Sequence, residues 1–463
     1  MKNMKKIVST VTAIVLAAGM LASCGGENGG GKIKLSVGDW PTQENSNYER
    51  MMEIKAGFEE KNPNIEIIPD MWKFDLQTFY PKAEGGMLPN LFVAPFTETD
   101  KLIDGEYALD LTDKLKENGW YDKMNESVRE LVSKDGRVYL IPYQAYALGI
   151  TYNIDMFKKA GLLESDGTPR QPKTWEELAE FGVKIKEATG KPGFTISTTQ
   201  NCGGWLFTNI AWAYGVDFME QDSDGKWKAT FDSEEMVNAL QYIKDLRWKY
   251  DILPANILVS QDEMHKTFAL ENAGMMLGGV AAKGLAKYGM KPDQFGMFAV
   301  PAGPAKRVAL VGGASRTLSN TSDEKQVDAA IKWIEHIGNG CLFNDEIAAN
   351  IDNAIQQQIS DGYAIGIKSM QVWNEDVEAV AYQNKVIDEN ANMQPNAAKL
   401  YNESLTNGEV EFQPEEPVCA QDLYSLLDNC IQQVLNDENA DCKKIVKKAN
   451  EDFQINYLNN LDY

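Results

Sequence analysis

Several points of this chain set an aromatic ring beside polar side chains where a strand pattern ends. Asp39-Trp40 closes the first strand. Phe96-Thr97 follows a short apolar run, Gln144 and Tyr146 come just past Pro142, and Trp205 follows Asn201-Cys202-Gly203-Gly204. Arg316 stands just past Gly312-Gly313. Ring faces cover flat C–H surfaces, while carboxylates, amides and guanidinium groups bond polar edges. That mixture suits non-covalent capture of a polyhydroxylated molecule such as a sugar. Each ring also has a plainer reading as core, and each polar group as a solvated loop residue. Trp72 is a further, weaker ring of this kind.

Catalytic signatures are sparse. The two histidines, His265 and His336, sit in no ligand-spaced cluster, which argues against a zinc site. No Gly-x-Ser-x-Gly elbow, no His-Glu-x-x-His and no nucleotide fingerprint occurs, so neither a metal nor an organic cofactor is expected. With 68 acidic residues a carboxylate pair is always available. A glycoside hydrolase using two such groups across a cleft therefore stays open as an alternative. A surface glycan adhesin, with a shallow face instead of a cleft, is another. Asp222-Ser223-Asp224-Gly225 imitates a calcium loop, but Phe231 stands where the bidentate Glu belongs if Glu220 is first; a hairpin turn is expected. The net charge of -23 argues against nucleic acid and anionic lipid surfaces as partners.

These residues need a framework to hold them. Ile33, Leu35 and Val37 alternate with Lys34 and Ser36, the period of a strand. A Ser46/Glu49 capping box opens a helix carrying Met51, Ile54 and Phe58, which Asn62-Pro63 ends. Ile65, Ile67 and Ile68 form a second strand, so the chain opens β-α-β, with a partly parallel sheet. Leu91-Phe92-Val93 is a third strand. After the Asp135-Gly136 turn an apolar run is interrupted by Pro142, which cannot donate to a ladder. Two strands with a bend between them are expected there, carrying the chain from one lobe to another. Pro172 to Leu178 opens a helix with a Thr174/Glu177 box, and Gly190 closes it. Trp205 is read as a strand-end ring with room beside Gly203-Gly204 for a ligand. Phe295 to Pro301 reads as the return crossing, and Asp323/Gln326 caps a later helix. The length of 463 residues fits two domains.

Lys2, Lys5 and Lys6 precede an apolar run from Ile7 to Leu21, too short to span a bilayer and right for a secretory signal. Leu21-Ala22-Ser23-Cys24 resembles a lipobox, which implies cleavage before Cys24 and lipid on its sulfur. Cleavage removes three lysines and no acids, taking the net charge from -23 to -26. The glycine-rich stretch 24–31 reads as a flexible tether. Five cysteines remain, an odd number without metal or redox spacing: buried thiols by default, with one disulfide still open.

Order and spacing of several pieces carry a family resemblance. Asp135 to Pro142, Tyr152-Asn153, Ala160-Gly161-Leu162 and Pro172 to Leu178 together resemble the family 1 extracellular solute-binding proteins that feed sugars to bacterial ABC importers. Phe268 to Met276 and the glycine-rich Val311 to Arg316, taken as a binding loop, fit the same pattern. Asn90 and Asn272 depart from its usual aspartate and glycine. The resemblance runs from about Lys32 to Val446. It implies an α/β, two-lobed periplasmic-binding-protein-like fold (type II), with mixed sheets flanked by helices and a hinge between lobes. Lobe one would hold 32–140 plus 301–320, and lobe two 145–295 plus 325–463. It further implies a binding protein and not an enzyme. A carbohydrate would sit between the lobes, touched by Asp39, Trp40, Phe96, Thr97, Gln144, Tyr146, Trp205 and Arg316. Permease subunits would be its partners. The protein would be a monomer held to the outer side of the cell membrane, or in the periplasm, by the lipid on Cys24 alone.

Overall fold

The computed structural model describes residues 31–45 and 47–461. The signal segment, Cys24, most of the tether and Ser46 lie outside the described residues.

Alternation decides the first strand: β1 (Ile33–Val37) buries Leu35 and Val37. Helix α1 (Tyr48–Lys61) follows, with Asn47 at its N-cap, and buries Phe58. Strand β2 (Ile65–Pro69) lies parallel to β1, with Leu35 opposite Ile67. Strand β3 (Leu91–Pro95) lies on the other side of β1, also parallel. This is the β-α-β opening that the hydrophobic periods predict.

The Pro142 region differs from expectation. One strand, β4 (Leu140–Ala147), runs through the proline, and the break falls at Leu148, before β5 (Gly149–Asn153). Pro142 is tolerated because it sits opposite Ser315, where the register with the neighbouring strand shifts. A bulge leaves a residue without its ladder bond, which is where a residue with no N–H fits. Helix α2 (Trp175–Thr189) starts and stops as its sequence dictates. Thr174 accepts from the Glu177 N–H, and Gly190 closes the end at φ +70°. Segment 201–215 is not strand-edged: Cys202–Tyr214 forms helix α3. A short hairpin, Met219–Gln221 with Trp227–Ala229, turns through Asp222 to Gly225.

Strands β6 (Met275–Gly278) and β7 (Phe295–Ala299) flank β5 antiparallel, giving a three-stranded second sheet. So Phe295 to Pro301 is not the return crossing. That role belongs to β8 (Val308–Leu318), an eleven-residue strand. Val308 to Leu310 pack in the second lobe's core, and Val311 and Leu318 in the first's. The segment Val311 to Arg316 is therefore strand, not loop. Strand β8 pairs antiparallel with both β3 and β4, completing a six-stranded first sheet with β9 (Glu411–Gln413) at its end. Val311 stands opposite Ala147, so the two crossings lie side by side. The buried Asn209 of α3 accepts from the Leu310 N–H at 2.7 Å, and Tyr401 donates to the Ala147 carbonyl at 2.9 Å.

Helix α4 (Glu324–His336) has the Asp323/Gln326 capping box, and its Trp333 and Ile334 belong to the first core. Helices α5 (Asp345–Ser360) and α6 (Glu378–Glu389) form a satellite, and Val372, Trp373 and Val380 also pack into the first core. The assignment of all of 325–463 to lobe two is thereby corrected. The amphipathic face of α4 covers the first sheet, and between α5 and α6 the chain touches the second core at Ala364 and Ile367 before Val372 and Trp373 rejoin the first. Helix α7 (Ala420–Asn436) then packs on α3. All five described cysteines are free thiols.

Candidate functional site

The crossing strands bring the first of these rings together. Tyr146 of β4 lies against its register partner Gly312, where any side chain would collide with the phenol. Phe96, just past β3, covers Gly313 in the same way. The glycine pair is thus required because two rings from neighbouring elements rest on it. Burial raises the Tyr146 hydroxyl above its ordinary pKa, and the nearby Glu415 adds to this. Thr97 follows Phe96 in a short turn of helix, with Glu98 buried beside it and held by Lys101 at 3.1 Å.

The second lobe supplies an aromatic and acidic wall. Trp205 and Trp212 are seven residues apart on α3, about two turns, so they share a face. The proline-flanked pair Glu415-Glu416 runs along that face. Glu415 accepts from Trp205 Nε1 at 3.1 Å and Glu416 from Trp212 Nε1 at 3.0 Å. Burial raises the Glu415 carboxyl, the nearby Tyr424 hydroxyl and the bond from Trp205 lower it, and Glu98 of the first lobe raises it again. Burial lifts Glu416 to about 7 against the pull of Trp212.

The space beside Gly203-Gly204 is not open to a ligand. A side chain at Gly204 would strike the Tyr424 backbone, and one at Gly203 the Thr198 backbone and the Asp428 carboxylate. Helix α7 fills it. The buried Asp428 accepts from the N–H groups of Asn201 and Gly204, each at 2.7 Å, and so caps the positive end of α3.

The remaining candidates fall elsewhere. Asp39, Trp40 and Arg316 line a first-lobe cavity of about 440 Å³ at the end of β1. Trp40 offers no open face: it is 1% exposed and stacks on Trp333 at 6.0 Å. A stacking contact from Trp40 is corrected accordingly; the ring is core. Trp72 packs on Phe79 and Phe92 in the same way. Arg316 places Nε and Nη2 on Asn339 Oδ1, at 3.1 and 3.0 Å, and its guanidinium lies 4.5 Å over the Tyr143 ring. Gln144 stands on a neighbouring cavity of about 380 Å³, where Tyr143, Asn350, Gln358, Gln371 and Trp373 are among the lining residues and no lining side chain is charged. Sequence reading missed Glu98, Asn339, Glu415 and Tyr424. Only Pro414-Glu415-Glu416-Pro417 carried a signal, a stiff acidic pair.

Two lobes, each with its own core, joined by side-by-side crossing strands with rings and carboxylates facing each other there, define a two-lobed binding protein of the periplasmic type. A family model described as bacterial extracellular solute-binding protein matches residues 40–339, and the chain belongs to that family. A putative binding protein of Brucella abortus is 23% identical over 59% of this chain and 64% of its own length. The arabinooligosaccharide-binding protein of Bacillus subtilis is 25% identical over 41% of this chain and 36% of its own. The match thus spans less than two thirds of either relative. Among solved structures, the cyclic alpha-maltosyl-1,6-maltose binding protein of Arthrobacter globiformis superposes with a TM-score of 0.62. It is 20% identical and covers 91% of this chain and 98% of its own. Among the described residues no helix is long and apolar enough to cross a membrane.

Proposed function

We propose that this protein captures a carbohydrate, of oligosaccharide size, between its lobes and passes it to the permease of an ABC importer. The observation that carries this reading is the meeting of Tyr146 with the Trp205–Glu415 wall beside the crossing strands. Rings and carboxylates from both lobes then enclose one ligand, the ring faces replacing water on sugar C–H surfaces. Relatives named for arabinooligosaccharide and cyclic maltosyl-maltose binding support the ligand class. Closure about Ala147–Leu148 and Leu310–Val311 would select a compact state when ligand binds. In this reading the protein is a monomer, anchored outside the cell by lipid on Cys24.

A thermal-shift screen against oligosaccharides tests the reading, since a ligand held 100-fold above its Kd adds about 2.7 kcal/mol of stability. A hit that also lowers the radius of gyration in scattering supports capture by closure. Release of shortened sugars from the same mixture would favour a glycoside hydrolase. Anchoring is tested by Cys24→Ala, which should move the protein out of the membrane fraction or leave it as precursor.

A further inference from the structure

The first-lobe cavity at the end of β1 is furnished with cations and donors, in a chain of net charge -23. Arg316, Arg50 and Lys73 line it, against one carboxylate, Asp39. Asp39 lies 3.6 Å from Lys73 and also acts on the charge of Arg316, whose direct contacts among the described residues are the neutral Asn339 oxygen and the Tyr143 ring. Among the described residues, neither Arg316 nor Arg50 forms an ion pair. The wall also includes Trp40, whose buried Nε1–H has no acceptor. Helix α1 begins at the same wall, through Asn47, whose side chain makes no cap bond. Its first-turn N–H groups therefore add partial positive charge.

A guanidinium that makes no direct bond to a carboxylate, in a cavity with three cations against one acid, is suited to a planar or tetrahedral oxyanion, which it holds through charge-assisted bonds. We infer that this cavity receives the acidic group of the carbohydrate ligand, a uronate carboxylate or a phosphate or sulfate ester. The neutral remainder of the ligand extends along β8 from Arg316 toward Gly312, where Tyr146 and the Trp205–Glu415 wall stand. The inference rests on the carbohydrate reading for the body of the ligand, and on the cation cluster for its acid.

The test is calorimetry on the full mature chain with matched pairs: acidic oligosaccharides (uronate, phosphorylated and sulfated) and their neutral counterparts, with inorganic phosphate and sulfate as separate probes. One acidic class should bind at least about tenfold tighter than its neutral partner, a gap of about 1.4 kcal/mol that added salt narrows. Arg316→Gln should close most of that gap by weakening the acidic member of each pair at least about fivefold more than the neutral one. Arg50→Gln, at an exposed helix start, should narrow it as well and keeps the test open if Arg316→Gln fails to fold. Neutral sugars that bind as tightly as their acidic partners overturn the anion site and leave the carbohydrate reading standing. Inorganic anions binding as tightly as the sugar acids overturn the carbohydrate part. No binding by any probe counts against both.

Discussion

The two lobes use tryptophan and charge in opposite ways. In the second lobe, Trp205 and Trp212 lie on a helix face and give their indole N–H groups to Glu415 and Glu416. Donor and acceptor are matched inside the protein, leaving the partly exposed Trp205 ring available. In the first lobe, Trp40 and Trp333 stack in the core, the Trp40 N–H has no acceptor, and among the described residues Arg316 makes no direct ion pair. One wall matches its indole donors and offers a surface; the other leaves the Trp40 donor unmet. Proximity of a ring to glycines in sequence does not tell these cases apart, because what matters is which element fills the space the glycines leave.

The largest effect is expected at Gly204. Gly204→Ala pushes a methyl into the Tyr424 backbone between two packed helices, and should destabilise by about 3 kcal/mol or more in denaturant unfolding. A variant that folds normally but loses ligand affinity would break the comparison, since the glycine would then be making room for ligand.

Next comes Trp205→Ala, expected to weaken carbohydrate binding by about 1–3 kcal/mol, the scale for covering one large apolar side chain. Trp205→Phe should recover much of the loss, since it keeps a ring and forgoes only the bond to Glu415. Calorimetric affinity and thermal unfolding must be measured on the same samples. A sharp fall in Tm with unchanged affinity would make Trp205 core, like Trp40.

Glu416 sharpens the contrast through pH. Its folded carboxyl titrates near 7 against 4.5 for an ordinary glutamate, so the folded state holds the extra proton between those values. Stability from this group is present below about 4.5 and is lost as pH rises through 7. Glu416→Gln should therefore match the parent at low pH and exceed it by about 1–2 kcal/mol at pH 8. Parallel melting curves across pH 4 to 8 would show that the carboxylate is better solvated than its burial implies.

The smallest change is expected from Trp40→Phe. It removes an N–H that bonds nothing within the protein and keeps an aromatic ring against Trp333, so stability should move by less than about 1.5 kcal/mol. A loss well beyond that would mean the indole N–H is satisfied in the free protein, and the first-lobe wall would no longer differ from the second.

Local chemistry was enough to read much of the fold. The period-two strand at Ile33 to Val37, the capped helices after Thr174 and Asp323, and the Asp222 to Gly225 hairpin follow from spacing and backbone preference. The family resemblance likewise lay in the order of short motifs, and it brought the two-lobed architecture with it. Tertiary structure alone decided where the lobes exchange chain. Pro142 looked like a break, yet a bulge opposite Ser315 absorbs its missing N–H, and the crossing moves to Leu148. Strand β8 reads as a glycine-rich loop because Gly312 and Gly313 carry no side chains; they are bare because Tyr146 and Phe96 cover them from elements far away in sequence. Helix α4 gives its own position by an apolar stripe, but not which lobe that stripe covers. The candidate site was legible only as a set of residue types. Whether a tryptophan stacks on a ligand or on Trp333 depends on side chains hundreds of positions away, and local sequence has no term for that distance.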